Sequence, residues 1–424
     1  MIKKIYQKMK LLFYIFLFLF ISIHAIETSG YKLVLNDDKS TLDGAILSST
    51  ETNGVTYNDR IIKITLEGTY ILSGTLNGQI KVSSTGRVIL VLNGVTIKNS
   101  ASNAILFTKA YELDSSTFNY NTAKALDITK AGAQIIIADG SENIVDGASQ
   151  EKKDGAIHSD VSILITGETK GDGILNVIGS SEGIETDKHL FFSGGILKIA
   201  AQDDGINASE DQACIVIIRG GKLLINSGLG KEGDGVDSNG YILVEGGEII
   251  SAARPGADSG LDSDQGVIIN GGSVYSVGSS MDMASTSSSQ PTMNLIFNAN
   301  VASASTVTVK DSDGNEIISF SADSADFISG TDRRTYLAAV VSHPSFKANG
   351  VYHLFIDGTQ LGYTGNEAGH GPGGQGGPGG PGGWRPGGSS SSSSSNTSSS
   401  GEIKADFILG SSATYFSGVQ KILL

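Results

Sequence analysis

The sequence predicts an all-β fold, a parallel β-helix of about seven coils, and three observations predict it. One phrase recurs five times between residues 150 and 265: Gly155-Ala156-Ile157-His158-Ser159, Glu182-Gly183-Ile184-Glu185-Thr186, Asp204-Gly205-Ile206-Asn207-Ala208, Asp234-Gly235-Val236-Asp237-Ser238 and Ser259-Gly260-Leu261-Asp262-Ser263. Its aliphatic residue falls at 157, 184, 206, 236 and 261, in steps of 27, 22, 30 and 25 residues, the period of a solenoid. Each copy is followed by a short apolar run and, in most, a double-glycine corner.

The phrase is the first strand of a coil. The second strand is the apolar run at 161–165, 190–192, 214–218, 241–244 and 267–269. The corners are Gly194-Gly195, Gly220-Gly221, Gly246-Gly247 and Gly271-Gly272. The third strand alternates, as in 196–199 and 222–225, and Gly171-Asp172-Gly173 introduces 174–177 in the same way. Runs this short are strands, since a helix needs about ten residues or more. Glycine supplies the positive φ of sharp corners. No coil buries its apolar face alone, so stacked neighbours are obligatory. Fainter first strands are expected at 103–105 and 124–127, and second strands at 88–92 and 134–137. An antiparallel sandwich is the alternative, but it rarely repeats one corner phrase.

The remaining segments follow in order. Residues 1–25 carry Lys3, Lys4, Lys8 and Lys10, an apolar stretch at 11–23 and Ile23-His24-Ala25 as a cleavage site. This is a secretory signal, because a membrane span needs about 20 apolar residues. Residues 26–74 are expected to be an N-terminal β cap, 75–280 the β-helix and 281–366 a C-terminal β module. Residues 367–400 are a Gly/Pro/Ser-rich linker containing Trp384, and 401–424 a mildly apolar tail.

Composition agrees. The 424 residues include 56 glycines and only 7% aromatics. Loss of the signal removes four lysines and no acids, taking the formal net charge from −14 to −18. That disfavours nucleic acid and anionic membrane and favours cations. Cys214 is the sole cysteine, so no intrachain disulfide is possible. It heads an apolar run and reads as a buried thiol. The protein is expected to be secreted, extracellular or at the cell surface, with no membrane span, and to be a monomer.

The chemistry lies in the acids beside the first strand. The aliphatic residue points inward, so the next residue points outward. Glu182, Asp204 and Asp234 precede the small residue. Glu185, Asn207, Asp237 and Asp262 follow the aliphatic, and Asp160, Asp187 and Asp264 come two places on. Stacked carboxylates about 4.8 Å apart repel by about 3.5 kcal/mol at an effective dielectric of about 20. Solvation or a bridging cation relieves this. An all-oxygen set points to Ca2+. The candidate metal ligands are therefore Glu182, Glu185, Asp187, Asp204, Asn207, Asp234, Asp237, Asp262 and Asp264. A solvated acidic edge that discourages strand addition is the alternative.

Catalysis has weaker signals. A polysaccharide lyase needs a base; Arg219 and Arg254 are candidates, and Arg254, beside Asp258 and Asp262, is the better one. Glycoside hydrolysis needs two carboxylates across a cleft, and the sequence singles out no pair. Tyr241, Tyr275 and Arg254 are candidate carbohydrate-binding residues.

Five stretches, Gly74-Thr75-Leu76, 90–97, Asp204-Gly205-Ile206, 233–240 and 279–290, resemble the secreted polysaccharide-binding β-helix family typified by a clostridial cellulosome-associated protein. The resemblance covers about residues 60–365. It implies a right-handed parallel β-helix similar to pectate lyases, bound calcium, and binding of cellulose and pectin-like acidic glycans, without established catalysis. Ala156 and His158 depart from the phrase, which argues against calcium at that rung. The expected function is calcium-dependent polysaccharide binding. A calcium-dependent pectate-type lyase and a structural or adhesive surface protein are the alternatives.

Overall fold

The computed structural model describes residues 30–113, 122, 125–150, 153–210, 214–254, 256–323, 334–367 and 402–422. The expected signal, Trp384 and the Gly/Pro/Ser-rich stretch lie outside these residues. The chain is all-β; a 3-10 turn occupies Ile128–Lys130. It divides into two compact units, Met1–Ile199 with Ala208–Leu223, and Ala200–Asn207 with Leu224–Leu424. Among the described residues no helix is long and apolar enough to cross a membrane.

The first unit is organised as parallel ladders. In one, Ile61–Ile64, Gln79–Ser83, Ile105–Lys109, Ile157–Ser159 and Ile184–Thr186 pair in turn. Its register stacks Ile62, Ile80, Ile105, Ile157 and Ile184 in one column, each fully buried. A second ladder stacks Tyr70, Leu90, Ile135, Ile165, Phe192 and Ile218, also fully buried. A third stacks Ile97, Val145 and Val177. Each such side chain contributes roughly 1.5–3 kcal/mol by leaving water, and a one-residue slip would turn the whole strand outward. The first strands of the repeat thus form where the phrase places them. Their neighbours at the N-terminal end are antiparallel: Val55–Asn58 pairs with Ile61–Ile64, and Tyr31–Leu35 with Thr41–Leu42.

Of the strand expected at 124–127, the described residues 125–127 form no strand. Ile105 pairs directly with Ile157, so residues 125–127 add no rung to the ladder. Among the described residues this region is an insertion at the corner that precedes Ala133–Ile137. Asp127 accepts from the Thr129 amide at 3.3 Å and starts the 3-10 turn, local bonding that competes with an extended strand.

The corners explain the paired glycines. Gly195 and Gly221 lie at φ of 81° and 79°. A Cβ on Gly221 would sit 2.7 Å from the Gly195 carbonyl oxygen and 2.8 Å from Phe192 Cζ. Both conformation and space therefore select glycine.

In the second unit Val236–Ser238 pairs in parallel with Leu261–Ser263, and Tyr241–Ala252 with Gly266–Gly278. The latter two strands continue through their double-glycine corners, with register shifts around them. Pairing then becomes antiparallel. Thr335–Ser342 joins both Gly266–Gly278 and Thr292–Ala302. A second antiparallel group contains Thr306–Asp311, Glu316–Ser321 and Val351–Ile356. Residues 402–422, read from sequence as a tail, carry Phe407–Ile408 and Ala413–Lys421, the latter parallel to Thr292–Ala302. Phe407 and Phe416 are fully buried, their ring centroids 5.0 Å apart. Aromatic pairs of this kind add to area burial and make this core unlike the aliphatic columns of the first unit.

Candidate functional site

Two groups of acids form, one in each unit. In the first, His158 follows the buried Ile157 and pairs with Glu185 in the next strand of the ladder. The imidazole is fully buried. Its Nδ1 lies 2.5 Å from Glu185 Oε2, and its Nε2 lies 2.9 Å from Asp160 Oδ1 and 3.7 Å from Asp187 Oδ1. Lys153 Nζ also meets Asp160. Glu185 Oε2 accepts from the Asp154 amide at 2.6 Å as well. Burial alone lowers the His158 pKa, but hydrogen bonds to Asp160 and Glu185 and the charges of Glu185 and Asp187 outweigh it, raising it to about 9. At neutral pH the ring is therefore an imidazolium. Burial pushes Asp160 up, yet its bonds to His158 and Lys153 hold it below the usual range. Asp187 is raised by burial.

At this rung a histidine stands among the acids, in place of an all-oxygen set. Ligand atoms of His158, Glu185 and Asp187, and of Asp154, Glu182 and Glu185, lie within 4.8 Å of one another. The His158 imidazolium lies among the acids of the first group, and Lys153 meets Asp160 beside it. Glu185 and Asp187 serve His158, and Glu182 is buried beside Asp154 and Glu185.

The second unit differs. Asp237 stands in register with Asp262 in adjacent parallel strands. Before the glycine of two phrases, a carboxylate accepts from an amide of the next phrase. Asp204 Oδ1 accepts from the Asp234 amide at 2.7 Å, and Asp234 Oδ1 from the Ser259 amide at 2.5 Å. Asp258 Oδ2 accepts from the Gly233 amide at 3.2 Å. Burial, then the surrounding carboxylates, raises Asp204 and Asp234 to about 8 despite these amide bonds. Burial, then Asp262 and Asp234, raises Asp237 to about 7. Asp282 is raised by burial and by a hydrogen bond with Asp262. Asp264 adds its charge to Asp237 and Asp282. Asn207 is half-buried in Ile206–Ala208. The edge is thus less solvated than the alternation suggests.

The sequence does not single out Asp282. No Gly-aliphatic pair marks it, although it follows Asp262 by 20 residues, close to one coil. Asp258 shows in the sequence only as a neighbour of Arg254.

A family model for carbohydrate-binding domain-containing proteins matches residues 58–330. The chain belongs to that family. A relative with this description in Acetivibrio thermocellus is 28% identical over 189 residues, 42% of this chain and 58% of the relative. The chain thus spans little more than half the length of that relative. A solved structure of the polysaccharide lyase-like protein from C. thermocellum, a gadolinium derivative, is 24% identical with a TM-score of 0.40, covering 57% of this chain and 93% of that one.

The three residues read from sequence as sugar contacts have different surroundings. Tyr241 is partly exposed and pairs across from Gly266. Tyr275 is fully buried. Its hydroxyl lies 2.5 Å from that of Tyr336, and its ring stacks on Phe320 with centroids 4.8 Å apart. It is a core residue and cannot reach a glycan, which corrects its reading as a contact. Arg254 donates to the carbonyls of Gly228 and Gly230, so its guanidinium fastens a corner. Arg219 donates to the Leu126 carbonyl at 3.2 Å.

Proposed function

We propose that this chain is a secreted protein that binds plant cell-wall-type polysaccharide, with calcium bridging protein carboxylates to an acidic glycan, on a right-handed parallel β-helix. The stacking of Asp237 on Asp262, with Asp234 and Asp282 among their neighbours, carries the reading. Carboxylates held above their usual range by burial and mutual repulsion gain most from a divalent cation. The donor set fits calcium: it is all oxygen, and the ion accepts six to eight irregular oxygen ligands. Asp262 and Asp282, which share a hydrogen bond, would hold it with Asp237 in register beside them, and the bound ion would supply positive charge to a uronate carboxylate. The in-register ladders support a β-helix, and the family supports carbohydrate as the partner.

Binding without cleavage is the better reading, because the Arg254 guanidinium is occupied by backbone carbonyls. The test is retention on cellulose and on polygalacturonate, with and without chelator. Retention on polygalacturonate that falls with chelator supports the proposal; no retention on any polysaccharide overturns it. New ultraviolet absorbance from an unsaturated product would instead establish a lyase.

A further inference from the structure

The first unit contains an open cleft of about 720 Å³ that the acidic rungs do not use. Its volume falls within the roughly 300–1,000 Å³ of small-ligand sites. The working side chains at its walls are Glu67, Thr69, Thr85, Arg87, Tyr111 and Lys130. They meet because successive coils turn a corner here. The Gly68 amide donates to the Arg87 carbonyl at 2.9 Å, and the Tyr111 amide to the Gly86 carbonyl at 3.1 Å. Two corner positions lack side chains for a spatial reason. A Cβ on Gly86 would lie 1.9 Å from Glu67 Oε2, and one on Gly132 would lie 2.0 Å from the Tyr111 carbonyl oxygen. The depression is therefore built into the backbone.

The lining has the chemistry of a sugar site. Tyr111 is 49% exposed, which leaves ring surface open to solvent. A pyranose presents C–H groups that stack on such a ring while its hydroxyls reach polar neighbours. Thr69, Thr85 and Glu67 supply those neighbours. Arg87 is exposed, and among the described residues no carboxylate lies within ion-pair distance of it. Its planar fork matches a carboxylate in two parallel hydrogen bonds. Lys130 Nζ, 3.3 Å from Asp127 Oδ2, adds a second cation. Glu67 offsets part of this charge and Asp127 pairs with Lys130, so Arg87 beside an exposed aromatic ring is the feature that would select an acidic sugar.

We propose that this cleft binds a uronate unit of an acidic polysaccharide directly, through Arg87 and Lys130 with Tyr111 against the sugar face, without a metal. The proposal rests on the polysaccharide-binding reading above and adds a second, cation-independent contact. It predicts that the full-length protein binds trigalacturonate in the presence of chelator. Arg87→Ala should weaken that binding at least tenfold and Tyr111→Ala by a comparable factor, with Tyr111→Phe near wild type. Both side chains are exposed, so melting temperatures should stay unchanged. Asp237→Asn should leave the chelator-resistant fraction intact.

Wild type that binds trigalacturonate with calcium but not with chelator overturns the cleft and leaves the calcium reading standing. So does an Arg87→Ala variant that binds like wild type. Equal affinity for a neutral cello-oligosaccharide overturns the acidic preference. Failure to bind any glycan in either condition overturns both readings.

Discussion

His158 Nδ1 and Glu185 Oε2, 2.5 Å apart, join two adjacent parallel strands through a buried ion pair. Removing one partner leaves the other charge buried and unmatched, at a cost of about 3–5 kcal/mol. His158→Gln should therefore lower the melting temperature clearly, read by calorimetry. An unchanged melting temperature would show that the pair adds nothing.

The same imidazole predicts a pH dependence. Its folded pKa of about 9 lies above the ordinary value of about 6.5. The folded chain keeps a proton that the unfolded chain has lost between these values. The stabilisation is complete below about pH 6.5 and disappears as pH rises through 9. A pH series of melting curves should show this decline in wild type and a flatter profile in His158→Gln.

The acids of the second unit add a metal-sensitive slope. Asp204 and Asp234, raised to about 8, retain protons in the folded chain that the unfolded chain releases near pH 4. Stability without metal should fall as pH rises from about 4 to 8. Saturating calcium should flatten that slope, and a profile indifferent to calcium would argue against the site.

Asp262→Asn separates repulsion from ligation. It removes one charge of the stacked pair with Asp237. The metal-free protein should gain about 1–3 kcal/mol, while the rise in melting temperature on adding calcium should shrink. Calorimetric titration with calcium should show weaker binding.

Two substitutions test the scaffold. Gly221→Ala forces a Cβ into a left-handed corner against the Gly195 carbonyl and should cost about 2–4 kcal/mol. Tyr275→Phe should cost about 1 kcal/mol for its bond to Tyr336 and leave glycan retention unchanged.

Much of the fold was legible because a coil repeats its needs. Ile157, Ile184, Val236 and Leu261 occupy one place in the phrase, and all are buried. The site was less legible. Alternation assigns Glu185 and Asp237 to an outer surface, but Glu185 is buried against His158 and burial raises Asp237. Asp282 joins the acids by coil spacing without its phrase. Tyr275 looks like a sugar platform in sequence, and only the packing of Phe320 and Tyr336 makes it core. Nothing local to 124–127 distinguishes an apolar rung from an insertion.

The residue after each aliphatic is a replaceable tooth on a fixed rack. Behind it the Ile62-to-Ile184 column is closed, so exchanging histidine for an acid at that tooth changes the counter-charge the edge demands without reopening the packing. A lineage built this way can retune its ionic appetite one coil at a time while its hydrophobic spine stays constant.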